Sequence, residues 1–257
     1  MDLADSCYRG MYCDCVNLEG VPYLPATGLA KDCYKQMFQN CKNIKQTKTL
    51  SATTLAEGCY QSMFEGCSNL STITTLPATT LAPSCYMSMF RDCTSMKTAA
   101  TTKASAAAIN SQTYMYRGCS SLSNARTLSA TTLAKECYWG MFWDCTSLST
   151  APALSATNLA EGCYKTMFQG CTSLTASPQL SATTLAPSCY QWMFNGCTSL
   201  KSVNVNFTSW GTNNNEFTYN WLGNVTTGSF GTFYKPSALS TIRGASNIPS
   251  GWNVVNK

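Results

Sequence analysis

Histidine is missing from all 257 residues. With it goes the side chain that most often acts as a general base near neutral pH and most often ligates a metal. Most hydrolase and zinc-enzyme templates are excluded on that ground. Charge is scarce as well, at 11% of residues against a usual level of about 25%, so the surface must be largely neutral and polar. The net charge of +5 is spread along the chain, and the nearest thing to a cluster is Lys42, Lys45 and Lys48. That is too thin for a nucleic-acid or anionic-membrane footprint, so neither partner is expected. No apolar run approaches the roughly 18 residues of a membrane span, and the N-terminus lacks a signal-peptide profile. Leu3 and Ala4 already stand in phase with Leu29 and Ala30. The expectation is a piece of a longer protein, with an export signal or further repeats upstream.

What is present is repetition. Rows of 26 residues align one cysteine column at Cys7, Cys33, Cys59, Cys85, Cys137, Cys163 and Cys189. A second runs through Cys15, Cys41, Cys67, Cys93, Cys119, Cys145, Cys171 and Cys197. Between them runs Cys-Tyr-x-x-Met-Phe-x-x-Cys, with Met at the fifth position from Met11 through Met193 and Phe or Tyr at the sixth. So strict a period marks a stacked repeat architecture.

Counting from the first cysteine as zero, apolar residues fall at 0, 1, 4, 5 and 8, the spacing of one face of a helix about two turns long. Pro83 and Pro187 suit a first helical position, and Gly66, Gly118, Gly170 and Gly196 suit its left-handed stop. The rest of the unit, as in Cys145 to Ala160, is rich in Pro, Ser and Thr and reads as extended or turn backbone with Leu148, Leu154 and Leu159 inward. The predicted fold is an α/β solenoid of the leucine-rich-repeat type. Its eight 26-residue coils would each hold a short strand and a short helix, over residues 1–202. Residues 203–257 would add a degenerate ninth coil, carried by Phe217, Trp221, Leu222 and Val225, and a capping tail.

The fifth unit departs from the pattern at Thr102, Lys103, Ala107, Ser111 and Gln112. Its Ala104 to Ala108 run loses core methylenes at about 0.8 kcal/mol each, which predicts a local shift or a compensating aromatic.

The sixteen cysteines admit three readings. Metal binding is disfavoured, because Cys-x7-Cys lacks the short bite of zinc modules and no other ligand type is periodic. Disulfides within a row would leave Cys119 opposite Ser111. On a helix they would also have to span about 12 Å, beyond the roughly 7 Å limit between α-carbons. Reduced, buried thiols acting as small hydrophobes are favoured. Cys13, outside both columns, reads as exposed and the most reactive.

The stacked Tyr, Met and Phe columns read as core rather than as a cofactor channel, and no cofactor or metal is expected. Asp14, Asp92 and Asp144 share a column with Gly and Asn and read as turn residues. Neither a nucleophile with a base nor paired acids at a telling spacing is evident, so no catalytic residue is assigned. Large residues stand at variable positions in Met87, Arg91, Tyr114, Arg117, Trp139, Trp143 and Trp192. They either pack on one another or form a ligand platform, since aromatics and Arg dominate binding hot spots. Trp139 and Trp143, four apart, should share a face.

The motif Met-Phe-x-Gly-Cys-Thr-Ser-Leu, at Met167 to Leu174 and Met193 to Leu200, resembles the BspA-like leucine-rich-repeat surface proteins of bacteria over about residues 1–202. The unit here is longer, and Leu-x-x-Ala-Pro-x-Leu replaces the usual strand pattern. The resemblance implies a curved solenoid, a location outside the cell or on its surface, and adhesion to a protein or glycan ligand on another cell or host surface. Similar repeats in phage tail or fibre proteins imply an alternative, a virion-surface subunit with the solenoid as a rigid spacer. A glycan-processing enzyme is the remote third, because the acid-base pair such chemistry usually needs is not evident.

Overall fold

The computed structural model describes residues 3–73, 75–211, 216–225 and 231–257; residues 212–215 and 226–230 of the C-terminal segment lie outside that description. The chain forms a stack of coils related by the 26-residue period. Each coil has an extended arm and a turn arm, the latter at 5–15, 31–41, 57–67, 83–93, 109–119, 135–145, 161–171 and 187–197. The first coil is described only from its turn arm, and coils 2 to 8 run from 16–41 to 172–197.

The turn arm corrects the expectation of a helix. Among the described residues there is no helix, and the backbone alternates between two kinds of hydrogen bond. In the fourth coil the N–H groups of Ser84, Tyr86, Ser88, Phe90 and Asp92 donate to the carbonyls of Ile109, Ser111, Thr113, Met115 and Arg117 in the next coil, at 2.8–3.0 Å. The intervening N–H groups of Cys85, Met87, Met89, Arg91 and Cys93 donate three residues back within the arm, at 3.1–3.3 Å. Every fourth residue turns left-handed, as at Ser84, Ser88 and Asp92 with φ of 55°, 54° and 58°. The arm is therefore a chain of linked β-turns in which alternate donors point along the stack. A helix would spend all its donors internally and join coils through side chains alone. The 0, 1, 4, 5, 8 spacing cannot separate the two, because a four-residue turn period also places those residues on one side.

The residues at the left-handed positions explain why this chain takes the turn form. The last such column reads Asp14, Asn40, Gly66, Asp92, Gly118, Asp144, Gly170 and Gly196, all left-handed, and those three residue types tolerate the region best. Gly and Asp also alternate for a packing reason. The Asp92 carboxylate lies where a Cβ on Gly118 would stand, and Asp144 covers Gly170 in the same way.

Inside, the two aromatic columns become stacks. Tyr34, Tyr60 and Tyr86 lie 5.9 Å apart with rings within 8° of parallel, and Phe38, Phe64 and Phe90 repeat this at 5.4 and 5.8 Å, the offset-stacked arrangement aromatic pairs prefer. Thirteen of the sixteen cysteines are buried, and all are free thiols. The second column has a further role, since Cys67, Cys93, Cys119, Cys145 and Cys171 each donate S–H to the carbonyl of the aromatic residue 29 positions earlier, at 3.1 Å. That carbonyl already accepts one backbone N–H, so the thiol fills its second lone pair inside an apolar core.

The extended arms touch more sparsely. They pair in parallel at single points such as Gln46 with Thr72, Thr54 with Thr80 and Leu128 with Leu154, and become regular only from the eighth coil. There β1 (Ala176–Leu180), β2 (Ser202–Val205), β3 (Thr232–Lys235) and β4 (Asn253–Asn256) form a parallel sheet in that order. The register of β1 on β2 shifts between Ala176 and Gln179, around Pro178, which has no N–H to give and so belongs at an irregularity.

The fifth coil holds its place through substituted contacts. Gln112 interrupts the tyrosine stack and Thr102 replaces a core Leu, yet both are buried. Tyr116 stands where most coils have Phe, and its hydroxyl accepts the Ala100 N–H at 2.9 Å, while Ser111 Oγ accepts from Ala108 at 3.3 Å. At the far end, both aromatic stacks finish on one ring. Trp221 packs against Tyr190 and Phe194 at 6.2 Å, meets Trp210 and Phe233 edge-on, and donates its indole N–H to Asn247 at 2.8 Å.

Three outcomes test this architecture. Far-UV circular dichroism should lack an α-helical signature, and Gly118→Ala should cost about 1–3 kcal/mol in denaturant unfolding, because φ of +74° and the Asp92 side chain both oppose a Cβ. Gly20→Ala, with open space around it, should be near neutral. Trp221→Ala should cost about 3–5 kcal/mol, the usual range for deleting a buried Trp.

Candidate functional site

A turn arm carries three variable positions outside the Tyr, Met and Phe columns: those two and six residues after the first-cysteine column, and the left-handed residue between them, nearly all buried or half-buried. Small or polar side chains usually occupy them, and coils 4, 5, 6 and 8 depart from that rule at Met87, Tyr114, Trp139, Trp143 and Trp192. Tyr114, Trp139 and Trp143 converge there, the Tyr114 ring lying 5.1 Å from that of Trp139 and 6.1 Å from that of Trp143. The approach depends on Gly140, since the Tyr114 ring occupies the space a Cβ there would need. Arg117 lies over Trp143, its guanidinium carbon 3.9 Å from the ring centroid and 5.5 Å from that of Tyr114. That is close enough for a cation–π contact worth about 0.5–2 kcal/mol.

The other sequence-selected residues stand at different distances from this group. Arg91 occupies the column of Arg117 and Trp143 one coil earlier and is held by Glu65 and Asp92, each at 3.4 Å. Met87 is half-buried in the column of Trp139, two coils before it, with Thr113 between them. Trp192 is not part of the group: it meets Tyr219 edge-on at 5.5 Å, toward the C-terminal end. A member that the sequence reading missed is Lys165, whose ammonium lies 5.2 Å from the Trp139 centroid. The 26-residue offset from Trp139 to Lys165 is the signal that identifies it, because it places the two in one column on adjacent coils.

Local energetics set this patch apart from the solenoid around it. Tyr114 holds a left-handed φ of 55°, a costly conformation for a bulky side chain; Trp192, outside the group, does the same at 58°. The Trp139 indole N–H is buried without an acceptor, a further cost of about 1–3 kcal/mol. Burial pushes the Tyr114 hydroxyl up, and it also raises the Asp144 carboxyl, against the opposing pull of Arg117. Among the described residues no group of three Cys, Asp or Glu side chains is placed to hold a metal ion. Among the described residues no helix is long and apolar enough to cross a membrane.

Comparison with solved structures yields partial likenesses. The chain is similar to the crystal structure of a leucine rich cell surface protein from Faecalibacterium prausnitzii A2-165, at 17% identity over 77% of this chain and 68% of that one, with a TM-score of 0.28. A superposition that loose carries no argument about this chain. No family model matches it, and no curated protein matches it.

The thiols give a correction and a test. Cys13 is half-buried, whereas Cys7 and Cys15 are exposed. Cys13 is also held protonated by burial, by its 3.3 Å hydrogen bond to Asp14 and by that carboxylate's charge. The reactive thiols of the native protein are therefore Cys7 and Cys15. In the core, burial pushes Cys33 and Cys41 up to about 11, and Cys85, Cys137 and Cys189 to about 12. The native state keeps these protons while an unfolded chain releases them from about pH 8.5, so the unfolded state binds fewer protons above that value and stability falls as pH rises. Unfolding midpoints should be flat below about pH 8.5 and drop steadily toward pH 11–12. A thiol reagent at neutral pH should label Cys7 and Cys15 first and leave the thirteen buried thiols for the unfolded chain.

Proposed function

We propose that this chain is a non-enzymatic recognition module, displayed outside the cell, that binds a protein or glycan ligand on the turn face of coils 5 to 7. The observation that carries this reading is the convergence of Tyr114, Trp139 and Trp143 with Arg117 and Lys165, on a surface the repeat otherwise keeps small and polar. Aromatic rings and guanidinium groups supply most of the energy in binding hot spots, and ring faces suit the apolar faces of sugars. Arg91 and Met87 extend the surface toward coil 4, and Trp192 with Tyr219 toward its C-terminal end. The BspA-like character of the repeats supports the same assignment.

Screening the whole chain against glycan and host-protein arrays should identify ligands whose binding falls at least tenfold, about 1.4 kcal/mol, in Trp139→Ala and Trp143→Ala. Unchanged binding by both variants rules the patch out.

A further inference from the structure

The opposite side of the stack carries a second feature, in the extended arms. From residue 42 to residue 210 these arms contain no Asp or Glu, yet they hold Lys42, Lys45, Lys48, Lys97, Lys103, Arg126 and Lys201. Over the same span every acidic residue stands in a turn arm. The modest net charge therefore hides a segregation, with a balanced turn face and a purely cationic extended face. Lys45, Lys97, Lys103 and Arg126 are exposed, and among the described residues none of them takes part in an ion pair.

These cations border a depression. Where the fifth coil is thinned to Ala99 and Ala100, a hollow of about 270 Å³ opens, lined by Ser71, Thr72, Thr98, Thr101 and Arg126. A shallower one of about 590 Å³, lined by Thr49, Pro77 and Lys103, shares Ile73 and Thr75 with it. Together they form one trough crossing coils 3 to 6, with hydroxyls on its floor and cations at its rim.

We propose that this trough binds an acidic polysaccharide, its sulfate or carboxylate groups meeting Lys103 and Arg126 and its hydroxyls meeting the threonines and serines between them. Chemistry decides among polyanions. Single-stranded nucleic acid is held by base stacking on aromatic platforms, and no aromatic residue lines either hollow. A protein partner needs large apolar anchors in pockets, and Ile73 is the largest apolar side chain available. A chain bearing many hydroxyls and regularly spaced anions matches both the floor and the rim.

The test uses the whole chain and titration calorimetry at low salt. The probes are a heparin oligosaccharide and an oligogalacturonate, compared with neutral dextran and a single-stranded DNA of matched charge. At least one acidic sugar should bind, weakening as salt rises because bound counterions are released, while dextran does not. Lys103→Ser and Arg126→Ala take residues that the repeat itself places in those columns, at Ser129 and Ala100, so the fold is preserved. The pair combined should weaken sugar binding roughly tenfold or more, whereas Trp139→Ala leaves it unchanged, which keeps the result separate from the turn-face ligand. Failure of both acidic sugars to bind, DNA binding as tight as sugar, or full affinity in the double variant overturns the proposal.

Discussion

The alternation of backbone donors in the turn arm fixes how this solenoid is built. Because every second N–H leaves its own coil and reaches the next at 2.8–3.0 Å, as from Ser84 to Asp92, neighbouring arms cannot slip without breaking a row of bonds together. Register is thereby held at one repeat per coil. That register is what brings Tyr under Tyr, Phe under Phe and each second-column thiol to the carbonyl 29 residues earlier. The extended arms, paired mostly at single points, contribute much less to it. Their Pro, Ala and Thr content is tolerated because the turn arm carries the alignment.

Strict registration has a cost, and the chain meets it in its choice of residues. Left-handed backbone at every fourth position of the arm favours Gly, Asn and Asp, and the last such column contains nothing else. The middle column is less disciplined, admitting Gln36, Thr166, Tyr114 and Trp192. The two bulkiest of these, Tyr114 and Trp192, are aromatic residues on the outer face. Strain is thus concentrated where the repeat departs from its own rule, and the candidate recognition surface lies in the same place. The core shows the reverse, since the fifth coil keeps its stack by exchanging Phe for Tyr116 and recovering a hydrogen bond at Ala100.

Much of this was legible from residues alone, and the misreadings have specific causes. The period, the cysteine columns and the apolar spine follow from identical spacing in successive rows. Helix and linked turns share the 0, 1, 4, 5, 8 pattern, so hydrophobic periodicity could not choose between them. The discriminating signal was the Asp, Asn and Gly column, which was read as a helix stop at Gly66 and Gly118 and is one of three left-handed positions per arm. Four-residue spacing also puts Trp139 and Trp143 on one side of the arm, where both meet Tyr114, for a reason that does not need a helix. Trp192 fell away from them because face-sharing along one arm does not shorten the distance across two coils. Lys165 was missed because it is ordinary within its own row and significant only beneath Trp139.

Charge illustrates the same point more sharply. Summed along the chain, 17 basic and 12 acidic residues look dispersed, and Lys42, Lys45 and Lys48 form too small a cluster to matter. A solenoid adds a second direction of adjacency, in which residues 26 apart are neighbours and residues ten apart can lie on opposite sides. Under that metric Lys103 and Arg126, 23 residues apart in sequence, border one hydroxyl-lined trough, while Glu57 and Glu136 belong to the other face. Coulomb interactions depend on distance in space, and at a screening length of about 8 Å they are felt by the next coil more than by the far side of the same one. In a stacked repeat, charge pattern is therefore a property of columns and not of segments.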